Sequence, residues 1–360
     1  MVGLLAVVLV LALAGAGLWA WRSIQRSPYE QAVAAMPDEI LRATYTDWQQ
    51  VRAMARGTTL DADATPERVE DFVLRAYDQD LTSTSAVVDS TFAMWDEFGF
   101  SPLNASWEMY GQSRKGAVVA MRLPESVDPG VVESNLRGLG YDAPPDGAGS
   151  GGVWAGSADL VAQIDPSLTP VLQNLVVLPE ERLVLMSDSP DYAESSAAVL
   201  RGDAPSLEGD TEGVEDLAKL TEDPVSAVLY ASDFACETLG TASTDAEDRA
   251  LADRLVEDAG RVSPLAGLVL ALGADHGLRV GMYFETPEQA EENLAPRAEL
   301  ASGEAVGQGG MFSDRFRVSS GEQSDHTVVL DLTPVGPPAQ RDESFLLSDL
   351  SAGPLLFAAC

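Results

Sequence analysis

PDEILRATYTDWQQVRAM (residues 37–54) and PVSAVLYASDFACETL (residues 224–239) follow the same pattern and decide the expected fold. In each stretch a short apolar run predicts a strand, an Asp follows it, and an aromatic residue then opens a predicted helix. Asp47 and Asp233 stand where a helix N-cap residue accepts hydrogen bonds from the first helical amides. We therefore interpret the two stretches as one motif used twice.

The elements that follow come in the same order in both halves of the chain. A hairpin is predicted at 107–123 and another at 268–284, and each is followed by a helix and a late strand. We expect an α+β fold of two tandem, similar sheet-and-helix units, each a mostly antiparallel layer of the ferredoxin-like kind. The first unit spans residues 37–205 and the second 223–360, with an acidic linker at 206–222 between them.

The first 21 residues, MVGLLAVVLVLALAGAGLWAW, contain no charged side chain. A helix of about 20 apolar residues crosses the hydrocarbon core of a bilayer. Residues typical of a membrane interface close this run or follow it: Trp19, Trp21, Arg22 and Arg26. Residues 1–26 are therefore expected to form a transmembrane anchor, or uncleaved signal, with its basic flank, and 27–36 a juxtamembrane connector. A signal peptide cleaved near Ala14-Gly15-Ala16 is the alternative.

The orientation of this anchor has two interpretations. The positive-inside rule, applied to Arg22 and Arg26, would keep the body of the protein in the cytoplasm. An exported apolar stretch is normally preceded by basic residues, however, and here the apolar run begins at Val2, which suggests a start codon further upstream. We expect a single-pass protein of the cell membrane whose body is extracytoplasmic.

The composition describes an acidic globular body. The chain of 360 residues carries 57 acidic and 22 basic side chains, which gives a formal charge of −35, and 46% of its residues are hydrophobic. That hydrophobic fraction is sufficient for one or two ordinary cores. Nucleic acids and anionic lipid headgroups are bound through clusters of Lys and Arg, so this surface excludes nucleic acid as a partner.

The two cysteines, Cys236 and Cys360, leave two interpretations open. An exported domain often closes one long loop with a single disulfide, which would tie residue 360 to the beginning of the second half. Alternatively, both are buried thiols, because the residues around them are apolar. A thiolate metal site is excluded, since it would need more ligands at closer spacing.

Candidate catalytic residues are few, because His276 and His326 are the only histidines of the chain. Neither stands in a Ser-His-Asp or Cys-His context, and zinc sites of the histidine type lack ligands. The glycine-rich stretch 147–152 follows a Pro-Pro-Asp turn instead of a strand, so we interpret it as a turn and not as a dinucleotide site. We assign no catalytic residue, metal or cofactor from the sequence.

Three classes of function remain. The first is a noncatalytic, membrane-anchored extracytoplasmic module that binds a protein, a peptide or another component of the cell envelope. The second is an envelope hydrolase that uses a pair of carboxylates as acid and base. The third is an anchored regulator that faces the cytoplasm. We favour the first class, which makes an enzyme the less favoured alternative.

Overall fold

The computed structural model describes residues 26–58, 60, 64–241, 244–336 and 345–360. Its framework is one antiparallel sheet of eleven strands in this described part of the chain. In chain order the strands are β1 (Arg42–Thr46), β2 (Glu108–Gln112), β3 (Ala117–Arg122), β4 (Val153–Ala155), β5 (Asn174–Leu178), β6 (Leu183–Ser187), β7 (Ser226–Ala231), β8 (Gly267–Leu272), β9 (Leu278–Tyr283), β10 (Phe316–Ser324) and β11 (Thr327–Pro334).

The order of the strands across the sheet is β10-β11-β9-β8-β7-β1-β2-β3-β6-β5-β4. The expectation of two tandem layers, each with its own sheet, is therefore wrong. β1 and β7 lie side by side at the centre, with Arg42 opposite Tyr230 and Thr46 opposite Ser226. Each of these strands would otherwise be a sheet edge with unpaired backbone groups, and pairing with the other strand satisfies both edges.

Twelve labelled helices pack against the sheet within the described residues. They are α1 (Pro28–Ala34), α2 (Trp48–Met54), α3 (Pro66–Tyr77), α4 (Pro129–Leu139), α5 (Ala158–Ile164), α6 (Pro190–Leu200), α7 (Leu207–Asp210), α8 (Val214–Lys219), α9 (Phe234–Leu239), α10 (Ala246–Ala259), α11 (Pro287–Leu300) and α12 (Leu346–Ser351). Shorter helical turns lie at Val88–Ser90, Thr91–Ala93, Met94–Phe98, Pro170–Gln173, Phe312–Asp314 and Leu356–Ala358.

The two faces of the sheet belong to two hydrophobic cores. Successive side chains of a strand point to opposite faces, so Val228 and Tyr230 of β7 enter one core while Ala227 and Leu229 enter the other. The larger core is covered by α2 to α5 and by α9 to α12, and the smaller by α1 and α6 to α8. All six residues of β7 are consequently buried.

Both segments that were expected to be connectors contain packed helices. In 27–36, Ser27 and Glu30 form a capping box at the start of α1, whose Tyr29 is buried. In 206–222, α7 and α8 bury Leu207 and Val214 against the smaller core. Glu215 and Asp216 of α8 are exposed, which explains why composition alone resembles a linker.

No helix in the described part of the chain is long and apolar enough to cross a membrane. The longest, α10 and α11, have 14 residues each; at a rise of 1.5 Å per residue this is about 21 Å, short of a bilayer core of about 30 Å. The expected transmembrane helix and signal anchor therefore have no counterpart among the described helices. Their residues 1–25, with Trp19, Trp21 and Arg22, lie outside the described part.

Arg26 is the one residue of the expected membrane flank that the structure describes. Its guanidinium Nη2 lies 2.7 Å from Oε2 of Glu208, a mostly buried carboxylate on α7. The backbone oxygen of Arg26 also accepts a hydrogen bond from the side chain of Gln31 on α1. Arg26 thus joins α1 to α7 by an ion pair, a role that the sequence did not indicate.

Candidate functional site: an acidic cleft at one end of the sheet

Two buried carboxylates, Glu108 and Asp80, receive hydrogen bonds from other residues of the fold. Glu108 on β2 accepts hydrogen bonds from Trp48 Nε1 at 2.9 Å, Ser85 Oγ at 2.8 Å and the Ala86 amide at 2.7 Å. Asp80 accepts from the Leu347 and Ser348 amides at the start of α12. These groups are satisfied by the fold, so neither is available to a substrate.

Asp47 lies at the start of α2, where its carboxylate accepts hydrogen bonds from the backbone amide of Gln50 at 2.9 Å and from its side chain at 3.1 Å. The same Gln50 side chain reaches the backbone oxygen of Asp223 at 3.2 Å. Asp47 therefore caps its helix and fixes the chain just before β7.

Asp233 is at the N-cap position of α9, as expected, but its side chain makes no capping hydrogen bond, so only the expectation that it accepts one is wrong. Its ψ of 5° differs from the extended ψ of 95° at Asp47, and the preceding Ser232 has a φ of +54°. This turn directs the chain away from the extended geometry that places an N-cap carboxylate over the helical amides. Asp233 is instead exposed and lines a cleft.

The cleft has a volume of about 430 Å³ and lies at the end of the sheet where β7 ends and β8 begins. Leu265 and Ala266 contribute apolar surface to it, and Ser232 contributes a hydroxyl. The remaining polar lining consists of three carboxylates and one amide: Glu212, Asp233, Glu285 and Gln289. None of the described residues that line the cleft carries a basic side chain.

Hydrogen-bond acceptors dominate this lining. The side-chain oxygen of Gln289 is buried and has no hydrogen-bond donor among the described residues. An ionised carboxylate offers only hydrogen-bond acceptors. The three carboxylates of the cleft therefore need hydrogen-bond donors from a bound ligand. The cleft is therefore complementary to a group that is rich in N–H and positively charged.

Two other clefts of similar size are lined by a basic side chain of the protein itself. In a cleft of about 420 Å³, Arg279 Nε lies 2.9 Å from Asp331 Oδ1, and its Nη1 lies 3.4 Å from a Glu222 oxygen. In another of about 500 Å³, Lys115 forms an ion pair with Glu39. The fold itself neutralises carboxylates in these two clefts, which distinguishes them from the acidic cleft.

Negative charge continues beyond the cleft along the same end of the sheet. Tyr283, the last residue of β9, has a raised pKa because of burial and because the carboxylates of Glu212, Asp216 and Asp325 surround it. The ring of His326 stacks on Tyr283, with ring centroids 5.4 Å apart. The carboxylates of Glu212, Asp216 and Asp325 thus extend negative charge from the cleft to Tyr283.

The histidines do not form a shared site. His326 lies in the β10–β11 turn, where its Nδ1 is 3.0 Å from the backbone oxygen of Phe284. His276 lies in the β8–β9 turn with a φ of +60°. Those two turns are at opposite ends of β9, because Leu278 begins that strand and Tyr283 ends it. No cluster of three or more metal-ligating side chains occurs among the described residues.

Cys236 and Cys360 form a disulfide, with their Cα atoms 5.7 Å apart. Cys236 belongs to α9, the helix that follows Asp233, and Cys360 follows the helical turn Leu356–Ala358. The bond therefore connects one wall of the acidic cleft to the 355–360 segment.

Sequence reasoning singled out Asp233 for a different role and missed Glu212, Glu285 and Gln289. One signal was present for Glu285. In an antiparallel β7-β8-β9 meander, β7 and β9 run in the same direction and finish at the same end of the sheet. The residues after β7 and after β9 are therefore close together. Glu212 follows α7 and reaches the cleft only through the packing of that helix, for which no local pattern exists.

Comparison with known proteins adds little to this geometry. No protein-family model matches the chain. No curated protein matches it either. Among solved structures, crystal form I of TP0453 is similar with 8% sequence identity, covering 88% of this chain and 97% of that chain at a TM-score of 0.35. A similarity at that level carries no argument about function.

Proposed function

We propose that this protein is a noncatalytic binding module that acts outside the cytoplasm and binds a cationic polypeptide segment in the acidic cleft. The observation that carries the proposal is the lining of the cleft, where Glu212, Asp233 and Glu285 meet no basic side chain among its described residues. Lys and Arg side chains offer only donors, and carboxylates offer only acceptors. Their pairing would satisfy both sets of groups.

The apolar part of the cleft supports a polypeptide side chain in preference to a bare metal ion. Leu265 and Ala266 offer carbon surface beside the carboxylates. The long methylene stems of Lys and Arg cover such surface while the charged end stays near its partners. The formal charge of −35 would also steer a basic partner toward the protein and accelerate the encounter.

The disulfide supports the proposed location. Structural disulfides form and persist in oxidising compartments and are rare where cellular thiols keep cysteines reduced. We therefore propose that the working protein lies outside the cytoplasm. If intact cells are alkylated before lysis, the mass of the isolated protein should be unchanged by the reagent, whereas two added alkyl groups would contradict this location.

Titration with a six-residue peptide of alternating Lys and Ala tests the binding site. A peptide of alternating Gln and Ala is the uncharged control. The Lys peptide should bind, and Glu285→Gln or Asp233→Asn should each weaken its Kd by about threefold, since both carboxylates are exposed and partly screened. Removing both should weaken binding by about tenfold. Isothermal titration calorimetry at low salt measures these changes.

Glu180→Gln is the matched control, because it removes one exposed carboxylate from the turn between β5 and β6, on the other half of the sheet. Its Kd should equal that of the unaltered protein. Equal weakening by all three substitutions would mean that the peptide responds to net charge alone. The proposal that it binds in the acidic cleft would then be wrong. Equal binding of the Gln peptide would have the same consequence.

A further inference from the structure

Arg297 on α11 is a fully buried cation whose described partners are neutral oxygens. Its Nη1 donates to the backbone oxygens of Phe357 and Ala359, both at 2.7 Å, and its Nη2 donates to the backbone oxygen of Ser263 at 2.5 Å. Its Nε lies 3.3 Å from the side-chain oxygen of Asn293. Arg297 therefore joins the 355–360 segment to the chain at Ser263.

Ser263 immediately precedes the stretch 264–266, which forms one wall of the acidic cleft. Asn293 holds Ser263 a second time: its Oδ1 accepts from the Ser263 amide, and its Nδ2 donates to the Ser263 hydroxyl, both at 3.0 Å. The same Nδ2 donates at 2.7 Å to the backbone oxygen of Gln289, which also lines the cleft. This wall is thus fixed to α11 and, through Arg297, to the 355–360 segment.

A second wall of the cleft is fixed to the same segment by a covalent bond. Asp233 and Ser232 line that wall, and α9 follows them directly. Cys236 of α9 is bonded to Cys360, and the Leu355 amide donates at 2.7 Å to the backbone oxygen of Leu239 at the end of α9. Both walls of the cleft therefore depend on one six-residue segment.

We infer that the 355–360 segment is a strut that sets the width of the acidic cleft, and that reducing the Cys236–Cys360 bond weakens cation binding there. The inference rests on the proposed function of the cleft. Without the covalent bond, α9 keeps only noncovalent contacts with the strut, so Asp233 samples positions away from Glu285. A ligand must then select the binding-competent arrangement, which lowers its apparent affinity.

A dithiol supplies the electrons for this step. One thiolate of the dithiol attacks the sulfur of Cys360, an exposed residue, which forms a mixed disulfide and releases the Cys236 thiolate. The second thiol of the reagent then closes its own disulfide and releases the Cys360 thiolate. Two electrons pass from the dithiol to the protein disulfide, and the two protein thiolates take up the two protons of the dithiol.

The test compares binding of the alternating Lys and Ala peptide to oxidised protein and to protein reduced with dithiothreitol. We expect Kd to rise by about tenfold on reduction. The double variant Cys236→Ser, Cys360→Ser is the matched control: it should bind like the reduced protein and should not respond to dithiothreitol.

Hydrogen exchange distinguishes a local loosening of the cleft walls from a loss of overall stability on reduction. Amide protection should fall in α9 and in 264–266 and should persist in β2 and β3, which lie in the other half. Equal Kd before and after reduction would overturn the strut while leaving the proposed function intact. Loss of protection throughout the sheet would also overturn it, whereas absence of binding to the oxidised protein would overturn the proposed function itself.

Discussion

Glu108 illustrates how one buried residue can depend on pH without being part of a functional site. It is fully buried on β2, and burial raises the pKa of its carboxyl above the ordinary value of 4.5, although hydrogen bonds from Ser85, Ala86 and Trp48 oppose the shift. When the carboxyl is protonated, its hydroxyl can donate to the Ser85 oxygen while the Trp48 and Ala86 donors stay satisfied. The protonated side chain therefore fits the site.

The raised pKa predicts the direction of a stability change. Above pH 4.5 the unfolded chain releases this proton while the folded protein still holds it, so the folded state binds more protons in that range. The contribution of Glu108 is then fully present below pH 4.5 and is lost as the pH rises through the folded pKa. Glu108→Gln places an amide N–H against the Trp48 or Ala86 donor, which costs about 1 to 3 kcal/mol.

The free energy of unfolding measured by urea titration between pH 4 and pH 8 should therefore differ most between the unaltered protein and Glu108→Gln at the acid end. The difference should shrink as the pH rises. Glu322→Gln, on the exposed part of β10, is the control and should show no such trend. A gap that widens with pH would mean that Glu108 is ionised in the folded protein.

At the scale of elements, α2 and α9 begin in corresponding places after β1 and β7 but are held differently. α2 receives a side-chain cap from Asp47, whereas α9 has no side-chain cap and is held by the disulfide of Cys236 and by the bond between Leu355 and Leu239. The short helix α9 consequently relies on tertiary contacts for its stability, as helices of this length generally do.

Asp47→Ala should destabilise the protein by about 1 to 2 kcal/mol, because it removes the cap of α2 and the anchor of the Gln50 side chain. Asp233→Ala should change stability by less than about 0.5 kcal/mol, because its side chain makes no capping bond. Urea unfolding of the two variants measures the difference. Equal losses would show that Asp233 caps α9 in solution.

The same elements show what the sequence could and could not predict. The strand and helix on either side of Asp47, and the hairpins β2–β3 and β8–β9, follow from apolar runs bounded by turn residues. β10 could not be predicted, because FRVSSGEQS lacks an apolar alternation and forms a strand through pairing with β11. The acidic cleft was missed for a related reason: its residues come from four separate segments of the chain, which only the strand order and the packing of α7 bring together.

At the scale of the whole molecule, the pairing of β1 with β7 joins two halves with similar strand orders into one sheet. Moving outward from the centre, the first half runs β1-β2-β3-β6-β5-β4 and the second β7-β8-β9-β11-β10. The loss of separate layers was not predictable, since the pattern of β1 alone does not say which strand lies beside it. A duplicated unit therefore stays a prediction, but two independent sheets are excluded.

The halves are also connected away from the sheet centre. Asp80, between α3 and β2, accepts hydrogen bonds from the Leu347 and Ser348 amides of α12, so a buried carboxylate of the first half caps a helix of the second. Separating the halves would break the five residue pairs between β1 and β7 and would remove the donors that α12 supplies to Asp80. Both costs oppose independent unfolding of either half.

We therefore expect a single unfolding transition by calorimetry, despite the length of the chain. Leu185→Ala in β6 and Leu330→Ala in β11 are matched probes, because each removes a buried leucine from one half. Each should destabilise the protein by about 2 to 5 kcal/mol and lower the same midpoint. Two transitions, each shifted by only one of these substitutions, would show that the β1–β7 pair opens first and that the halves unfold as separate domains.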